Sequence, residues 1–209
     1  MTAIAISQRV VIDPNHGERR DCLDQRWLQL LEKLGAVLVP VPNGLSQVGS
    51  WANTVGVRGI ILSGGNSLSS LAESTDAAPE RDQTETHLLD WAQPMSIPVL
   101  GVCRGMQMMN CYLKGSLEPI ADHAGTRHEV QTSAGPRVVN SYHTYAVASS
   151  GLAPNTRATA WDQAGYVEAF AHDVLPWLAV MWHPEREVEP DSSDVRLLQS
   201  HFNLESPAP

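Results

Sequence analysis

The succession of strand-like and helix-like segments predicts an α/β fold: a central, mostly parallel sheet flanked by helices, with antiparallel additions in the C-terminal half. Three observations carry this. Up to residue 62 apolar strand runs alternate with helical runs in the order βαβαβ, an arrangement that short connections close as a parallel sheet. The run "IPVLGV" then leads directly into the helical run "RGMQMMNCYL", which repeats the strand-to-helix unit. From residue 127 the pattern changes to short, Val-rich pieces separated by Gly, Pro, Asn and Ser, the spacing of hairpins.

Taken in order, residues 3–12 are rich in Ile and Val and read as one strand that ends in the loop "DPNHGERRD". In "DCLDQRWLQLLEKLG" the apolar positions Leu23, Trp27, Leu30, Leu31 and Leu34 share one helical face. Asp21 suits the N-cap and Gly35 the C′ position. "AVLVPV" reads as a second strand, "SQVGSWANTV" as a short helix and "RGIILSGG" as a third strand. A polar loop and a helix near residues 81–92 precede "IPVLGV", so the cysteine that follows sits at the C-terminal edge of a parallel strand, where ligands bind in such sheets. The later pieces "HEVQT", "RVVNSYH", "YAVA", "ATAW", "YVEAF" and "WLAVMWH" are short strands, and "DSSDVRLLQSHFNL" is a last helix. With no internal repeat or low-complexity segment, residues 1–209 read as one domain, with a frayed tail at 205–209.

The totals narrow the functional classes. At 43% hydrophobic and 18% charged residues the chain is able to bury a sizeable core. Its net charge of −9 repels a phosphate backbone, so neither nucleic acid nor an anionic membrane is expected as a partner; a small molecule or another protein is. The start "MTAIAISQRVVID" has no charged n-region or long apolar run, and a cytoplasmic location is expected. Cys22, Cys103 and Cys111 are odd in number and lack paired spacing, which disfavours a disulfide framework or a Cys-x-x-Cys zinc site. His123 and His128, beside Asp122, lie in an irregular stretch without a third ligand at useful spacing, so neither a metal nor a cofactor is expected. Oligomeric state is left open, with a homodimer among the options.

Candidate chemistry comes from three strand ends. In "GVCRG" a strand, a tight turn and a helix place Cys103 at the mouth of the sheet, the geometry of a nucleophile elbow. Gly101 and Gly105 allow the strained turn and close packing. The helix N-terminus favours a thiolate, and the Arg104 amide is placed to donate to a developing oxyanion. In "WLAVMWHPERE" an apolar strand ends in His183 and Glu185; on an extended backbone i and i+2 face the same side, so the carboxylate orients an imidazole aimed at the thiol. In "IILSGGNS" the amides of Gly64 and Gly65 suit the rest of an oxyanion hole. Each piece alone also has a plain structural reading: a small buried cysteine, a strand-terminating turn, a pair of glycines ending a strand. Their conjunction points to acyl transfer.

With these residues in their order along nearly the whole chain, the sequence resembles the class I glutamine amidotransferase superfamily, with its flavodoxin-like sheet. The matching residues are Gly101-Val102-Cys103-Arg104-Gly105-Met106-Gln107, Ser63-Gly64-Gly65 and His183-Pro184-Glu185. The resemblance implies Cys103 as nucleophile, His183 as general base and acid, Glu185 as its orienting partner and Gln107 lining a glutamyl pocket. Arg104, Asn110, "VVNSYHTYAV" and "YVEAF" look most like the γ-glutamyl-γ-aminobutyrate hydrolase branch, which implies a glutamyl thioester on Cys103 and release of glutamate and an amine. By the same resemblance Tyr142 and His143 face the α-amino and α-carboxylate ends of the glutamyl group. Thr144, Ala164-Gly165 and Asn66 depart from the branch pattern in substrate-facing segments, so the leaving amine is expected to differ. The superfamily also implies an alternative, a glutaminase subunit that passes ammonia to a synthetase partner.

Arg19 and Arg20 stand together just before a helix, in a chain with 14 basic residues, and suit bidentate recognition of phosphate or carboxylate; an ion-pair cluster with Glu18 and Asp21 accounts for them equally well. Less extensively, "ISQR" and "RRDCLDQRW" are also similar to the γ-glutamyl-CDP-amidate hydrolases of capsule phosphoramidate synthesis. That resemblance implies a nucleotide-linked γ-glutamyl phosphoramidate as substrate, with Arg19 or Arg20 near its diphosphate.

Overall fold

Residues 1–71 and 74–204 are described by a computed structural model. The strands are β1 (Thr2–Ser7), β2 (Arg9–Ile12), β3 (Arg19–Cys22), β4 (Ala36–Val41), β5 (Gly59–Leu62), β6 (Val99–Val102), β7 (Glu118–Pro119), β8 (Thr126–Thr132), β9 (Gly135–Ser141), β10 (Tyr145–Ala146), β11 (Thr156–Asp162), β12 (Val167–His172) and β13 (Trp177–Val180). The helices are α1 (Gln25–Lys33), α2 (Val48–Val55), α3 (Pro79–Met95), α4 (Arg104–Tyr112) and α5 (Ser192–Phe202). The tail expected to fray lies outside the described residues.

A nine-stranded sheet in the order β4-β1-β5-β6-β13-β12-β11-β8-β9 organises the chain. From β4 to β13 neighbouring strands are parallel; from β13 to β9 they are antiparallel. The expected architecture is therefore present, and the last strand, β13, inserts in the middle of the sheet beside β6. That placement brings the ends of β6 and β13, far apart in sequence, to adjacent positions.

Two apolar layers cover the sheet. On one face Ile4, Ile6, Ile61, Leu100, Val102 and Val180 pack against Trp27, Leu30 and Leu31 of α1 and Leu198 and Phe202 of α5. On the other, Ala5, Ile60, Leu62, Val99 and Ala179 meet Val48 and Ala52 of α2, Leu88, Leu89 and Ala92 of α3, and Met106 and Met109 of α4. Alternate residues of each central strand serve opposite faces, as the pleat requires. Trp27 and Trp177 are core residues, whereas Trp91 is partly exposed and packs against α2 at Gly49.

Several boundaries differ from the sequence reading. The run 3–12 is two strands, because the chain leaves the sheet after Ser7 and Arg9–Ile12 forms a hairpin with Arg19–Cys22. The N-cap of α1 is Asp24, whose carboxylate accepts from the Arg26 amide; Asp21 instead takes the amide of Asn43 and its side chain. Gly35 does stand just past α1 with φ +74°. Helix α3 starts two residues before the expected boundary, at Pro79, whose missing N–H costs nothing in a first turn, and runs to Met95. No helix among the described residues is long and apolar enough to cross a membrane.

Candidate active site

Cys103 ends β6 and begins α4 with φ +52° and ψ −108°, a conformation that a non-glycine residue holds only when its surroundings force it. Its amide donates to the Val180 carbonyl at 2.8 Å, fastening the elbow to β13. The strain lies on the cysteine itself. Gly101 and Gly105 do not take positive φ; they are needed for close approach. A Cβ on Gly101 would lie 2.6 Å from Met109 Sδ, and one on Gly105 would collide with the Leu62 carbonyl of β5. The glycines let α4 lie against the sheet, and the thiol is left at its edge. As the first residue of α4, Arg104 presents an amide without an intrahelical acceptor.

His183 follows β13 with extended backbone (φ −109°, ψ 95°), but Pro184–Arg186 is a single 3₁₀ turn rather than continued strand. The turn does what the expected i, i+2 strand geometry was to do: His183 Nδ1 lies 2.7 Å from Glu185 Oε1, with both side chains buried. Asn140 of β9 holds the histidine backbone from both sides. Its Nδ2 donates to the His183 carbonyl at 2.9 Å, and its Oδ1 accepts the His183 amide at 2.9 Å. Gly64 packs so closely on the ring that a Cβ there would lie 2.5 Å from His183 Cε1.

The electrostatics of the pair are mutual. Burial by itself would raise the Cys103 thiol, but the charge and hydrogen bonding of His183, helped by His143 and Arg186, lower it below its ordinary 9.0. Burial would lower His183, yet Cys103 and Glu185 together push it up to about 9. A thiolate–imidazolium pair is the resulting form between those limits. The lowered thiol favours the folded pair as pH rises above the folded cysteine value, and the raised imidazole favours it until pH passes about 9. Alkylation of Cys103 by iodoacetamide is accordingly expected to have its pH midpoint below 9.0. In His183→Ala the midpoint is expected to move upward, because the imidazole that opposes burial is gone. A profile unchanged by that substitution would exclude the pairing.

A cavity of about 220 Å³ opens at Cys103 and is lined by Gly65, Asn66, Arg104, Gln107, Tyr142 and His143 among others. Gln107 Nε2 donates to the Tyr145 carbonyl at 3.0 Å, which holds the far wall. Tyr142, 47% exposed, meets the His183 ring edge-on with centroids 5.6 Å apart, and Arg186 lies over its face at 4.4 Å. His143 is buried. Its Nδ1 is bonded to the Tyr145 carbonyl, and its Nε2 lies 3.4 Å from Glu168 Oε1 and 3.2 Å from His123 Nδ1, while the residue also lines the cavity. A larger hollow of about 880 Å³ lies beside α3 and α4, at Asp90, Cys111 and Tyr112, and includes neither Cys103 nor His183.

The loop Ser63–Gly65 is fixed from below by Arg81 of α3. This wholly buried guanidinium donates to the carbonyls of Ser63 (2.6 Å), Gly64 (3.2 Å) and Gly65, and pairs with Glu85 at 2.9 Å. The Arg104 side chain turns into the same cluster and pairs with Glu85 and Asp82. Sequence reading missed this support because Arg81, Asp82 and Glu85 resemble ordinary surface residues of a helix; the retrievable signal was Glu85 standing three residues after Asp82 and four after Arg81.

Arg19 and Arg20 are not brought to the cavity. They stand on β3, where Arg19 pairs with Glu80 and Arg20 with Glu18 and Asp13, an ion-pair cluster in which Asp21 takes no part. Two other cations lie nearer the site. Arg9 and Arg186 border a small recess with Gly64, Gly65 and Glu185, and the Arg9 side chain passes 3.1 Å from where a Gly65 Cβ would be. Asn110 is structural: its side chain ties the Ser116 and Gly151 carbonyls and the Ala153 amide together.

These positions, a strained cysteine, a histidine paired with glutamate and a glycine loop, coincide with a family match that spans residues 2–136 and 129–185, described as Peptidase C26. The chain belongs to the peptidase C26 family. Among its relatives within and beyond that family, the gamma-glutamyl-CDP-amidate hydrolase of Campylobacter jejuni subsp. jejuni serotype O:2 is 31% identical over 202 residues, covering 96% of this chain and 98% of that protein. The gamma-glutamyl-gamma-aminobutyrate hydrolase of Escherichia coli O157:H7 is 25% identical over 206 residues, covering 81% and 80%. A glutamine amidotransferase of Thermotoga maritima has the same fold, with a TM-score of 0.67 over 97% of this chain and 84% of that one at 13% identity. The resemblance to class I glutamine amidotransferases is thereby borne out, and with it the α/β fold class.

Proposed function

We propose that this peptidase C26 member is a cysteine hydrolase that cleaves the C–N bond of a γ-glutamyl amide. The observation that carries the proposal is Cys103, held at φ +52° within reach of an imidazole whose second nitrogen is bonded to Glu185 at 2.7 Å. The thiolate attacks the γ-carbonyl carbon, and the oxyanion that forms accepts from the amides of Arg104 and the Gly64-Gly65 loop. The His183 imidazolium gives its proton to the leaving nitrogen, the amine departs and a glutamyl thioester remains. Water, deprotonated by His183, then attacks the thioester; glutamate leaves and the thiol is restored.

Gln107 and the Tyr142–Tyr145 segment form the glutamyl pocket in this reading. For the leaving group, the relation to the Campylobacter protein over nearly the full length of both chains supports γ-glutamyl-CDP-amidate, released as cytidine diphosphoramidate. A capsule-related role follows from that substrate. The diphosphate would meet Arg9 and Arg186, which border the site, rather than Arg19 and Arg20, which line neither the recess nor the cavity at Cys103.

The test uses the purified chain alone, with γ-glutamyl-CDP-amidate, γ-glutamyl-γ-aminobutyrate and glutamine as substrates and glutamate release as readout. Turnover without a partner is expected, with the highest kcat/KM for the nucleotide-linked substrate. Release only on addition of a synthetase would instead make the chain an ammonia-supplying glutaminase, and release from none of the three would overturn the hydrolase reading.

A further inference from the structure

Around Glu168 of β12 the fold gathers imidazoles from three segments: His123 before β8, His128 in β8, and His143 between β9 and β10. Glu168 is 1% exposed. Its Oε1 lies 3.4 Å from His143 Nε2 and 4.0 Å from His123 Nδ1, and its Oε2 lies 3.4 Å from His128 Nε2. These approaches are close without being aligned. Glu168 Oε1 and both ring nitrogens of His128 are buried and make no hydrogen bond among the described residues. Buried polar atoms left in that condition are rare in folded proteins and point to something that satisfies them.

The other ring nitrogens sharpen the point. His143 Nδ1 is 3.0 Å from the Tyr145 carbonyl, which only an N–H can satisfy, so in the neutral ring Nε2 carries the lone pair. His123 Nε2 faces Asp162 Oδ2 at 3.5 Å without a hydrogen bond. His143 Nε2 and His123 Nδ1 face one another at 3.2 Å. A shared proton would relieve that one contact and leave the nitrogens of His128 unsatisfied. A multivalent cation would engage the two facing nitrogens, one nitrogen of His128 and Glu168 Oε1 together.

We propose that His123, His128 and Glu168, with His143 Nε2 as fourth donor, bind a divalent transition-metal ion of zinc type. Bonds of about 2.0–2.1 Å in tetrahedral geometry place ligand atoms roughly 3.3 Å apart. His123 Nδ1 and His143 Nε2 stand 3.2 Å apart, Glu168 Oε1 lies 3.4 and 4.0 Å from His143 Nε2 and His123 Nδ1, and its Oε2 lies 3.4 Å from His128 Nε2. The donor atoms of His123, His128 and Glu168 all lie within 4.8 Å of one another, so small side-chain shifts would close them on one ion. Imidazoles with one carboxylate form a donor set suited to zinc. The Tyr145 carbonyl behind His143 provides the outer hydrogen bond that orients a metal-ligating histidine, and Asp162 lies 3.5 Å behind His123. The His123 and His128 side chains keep a small exposure through which an ion can enter.

The proposed site departs from the sequence expectation that no metal is bound. Spacing along the chain shows no third ligand for His123 and His128, because Glu168 arrives from β12 and His143 from the β9–β10 connection. The ion's role is structural: it would clip the segment before β8 and the β9–β10 connection to β12, and so hold the Tyr142–Tyr145 wall of the cavity at Cys103.

Metal binding is tested on the full-length, chelator-treated chain carrying Cys103→Ser, so that the thiolate contributes nothing. Zn²⁺ is titrated by calorimetry, and Co²⁺ by absorbance. One ion per chain is expected, with tetrahedral cobalt bands lacking sulfur charge transfer and a higher thermal midpoint in the presence of Zn²⁺. His123→Ala and His128→Ala should each lower affinity by more than the roughly 10- to 100-fold that loss of an outer partner costs. Circular dichroism checks the fold of each variant, and His128→Gln replaces the alanine variant if that one unfolds. Absence of stoichiometric binding, or binding unaffected by either histidine, would overturn the proposal.

Discussion

Cys103→Ser is expected to lower kcat for glutamate release by at least about 10³-fold, roughly 4 kcal/mol of barrier. The thiol is lowered below 9.0 by His183, and a hydroxyl, whose ordinary pKa is far higher, does not form the corresponding anion in the same place. Binding should survive, since the cavity walls at Gln107 and Tyr142 are untouched. Mass spectrometry of acid-quenched reactions should show a glutamyl adduct on the parent chain and none on Cys103→Ala. A serine variant with more than a tenth of the parent activity would remove Cys103 from the mechanism.

The second large effect concerns stability. Arg81→Met should destabilise the fold by about 3–5 kcal/mol, the usual result of removing one partner from a buried ion pair. Glu85 would keep Arg104 but lose its 2.9 Å contact, and the carbonyls of Ser63, Gly64 and Gly65 would lose their donor. At neutral pH Arg81 stays charged, since burial and the neighbouring Arg104 lower it only to about 10. Urea unfolding of the parent and variant measures the loss. A companion variant, Arg81→Met with Glu85→Leu, tests the cause: partial recovery is expected for a stranded carboxylate, whereas a single-variant loss under about 1 kcal/mol would show that the network contributes little. Because Gly64 abuts His183, the same variant should also lose activity out of proportion to its unfolded fraction at working temperature.

Much of the site was legible in the residues. A cysteine between a strand and a helix, glycines after a buried strand, and a histidine two residues before a glutamate are local patterns, each governed by backbone geometry over a few positions. The fold places all three at strand ends that neighbour one another, β5, β6 and β13. The local conformations were less legible. Glu185 reaches His183 through a 3₁₀ turn, and the strain belongs to Cys103 and not to its glycines; both depend on where α4 and β13 are pressed against their neighbours.

What the sequence by itself determined is the order of elements, the two-sided apolar strands and the identity of the reactive groups, since periodicity and residue chemistry are properties of short segments. Tertiary structure decided which distant segments meet. It alone inserted β13 beside β6, sank Arg81 and Arg104 beneath the glycine loop, spent Arg19 and Arg20 in ion pairs, and gathered His123, His128 and His143 around Glu168. The physical reason is that hydrogen-bond pairing between strands and the burial of charge are settled by contacts between segments far apart in the chain, and spacing along the chain carries no record of them.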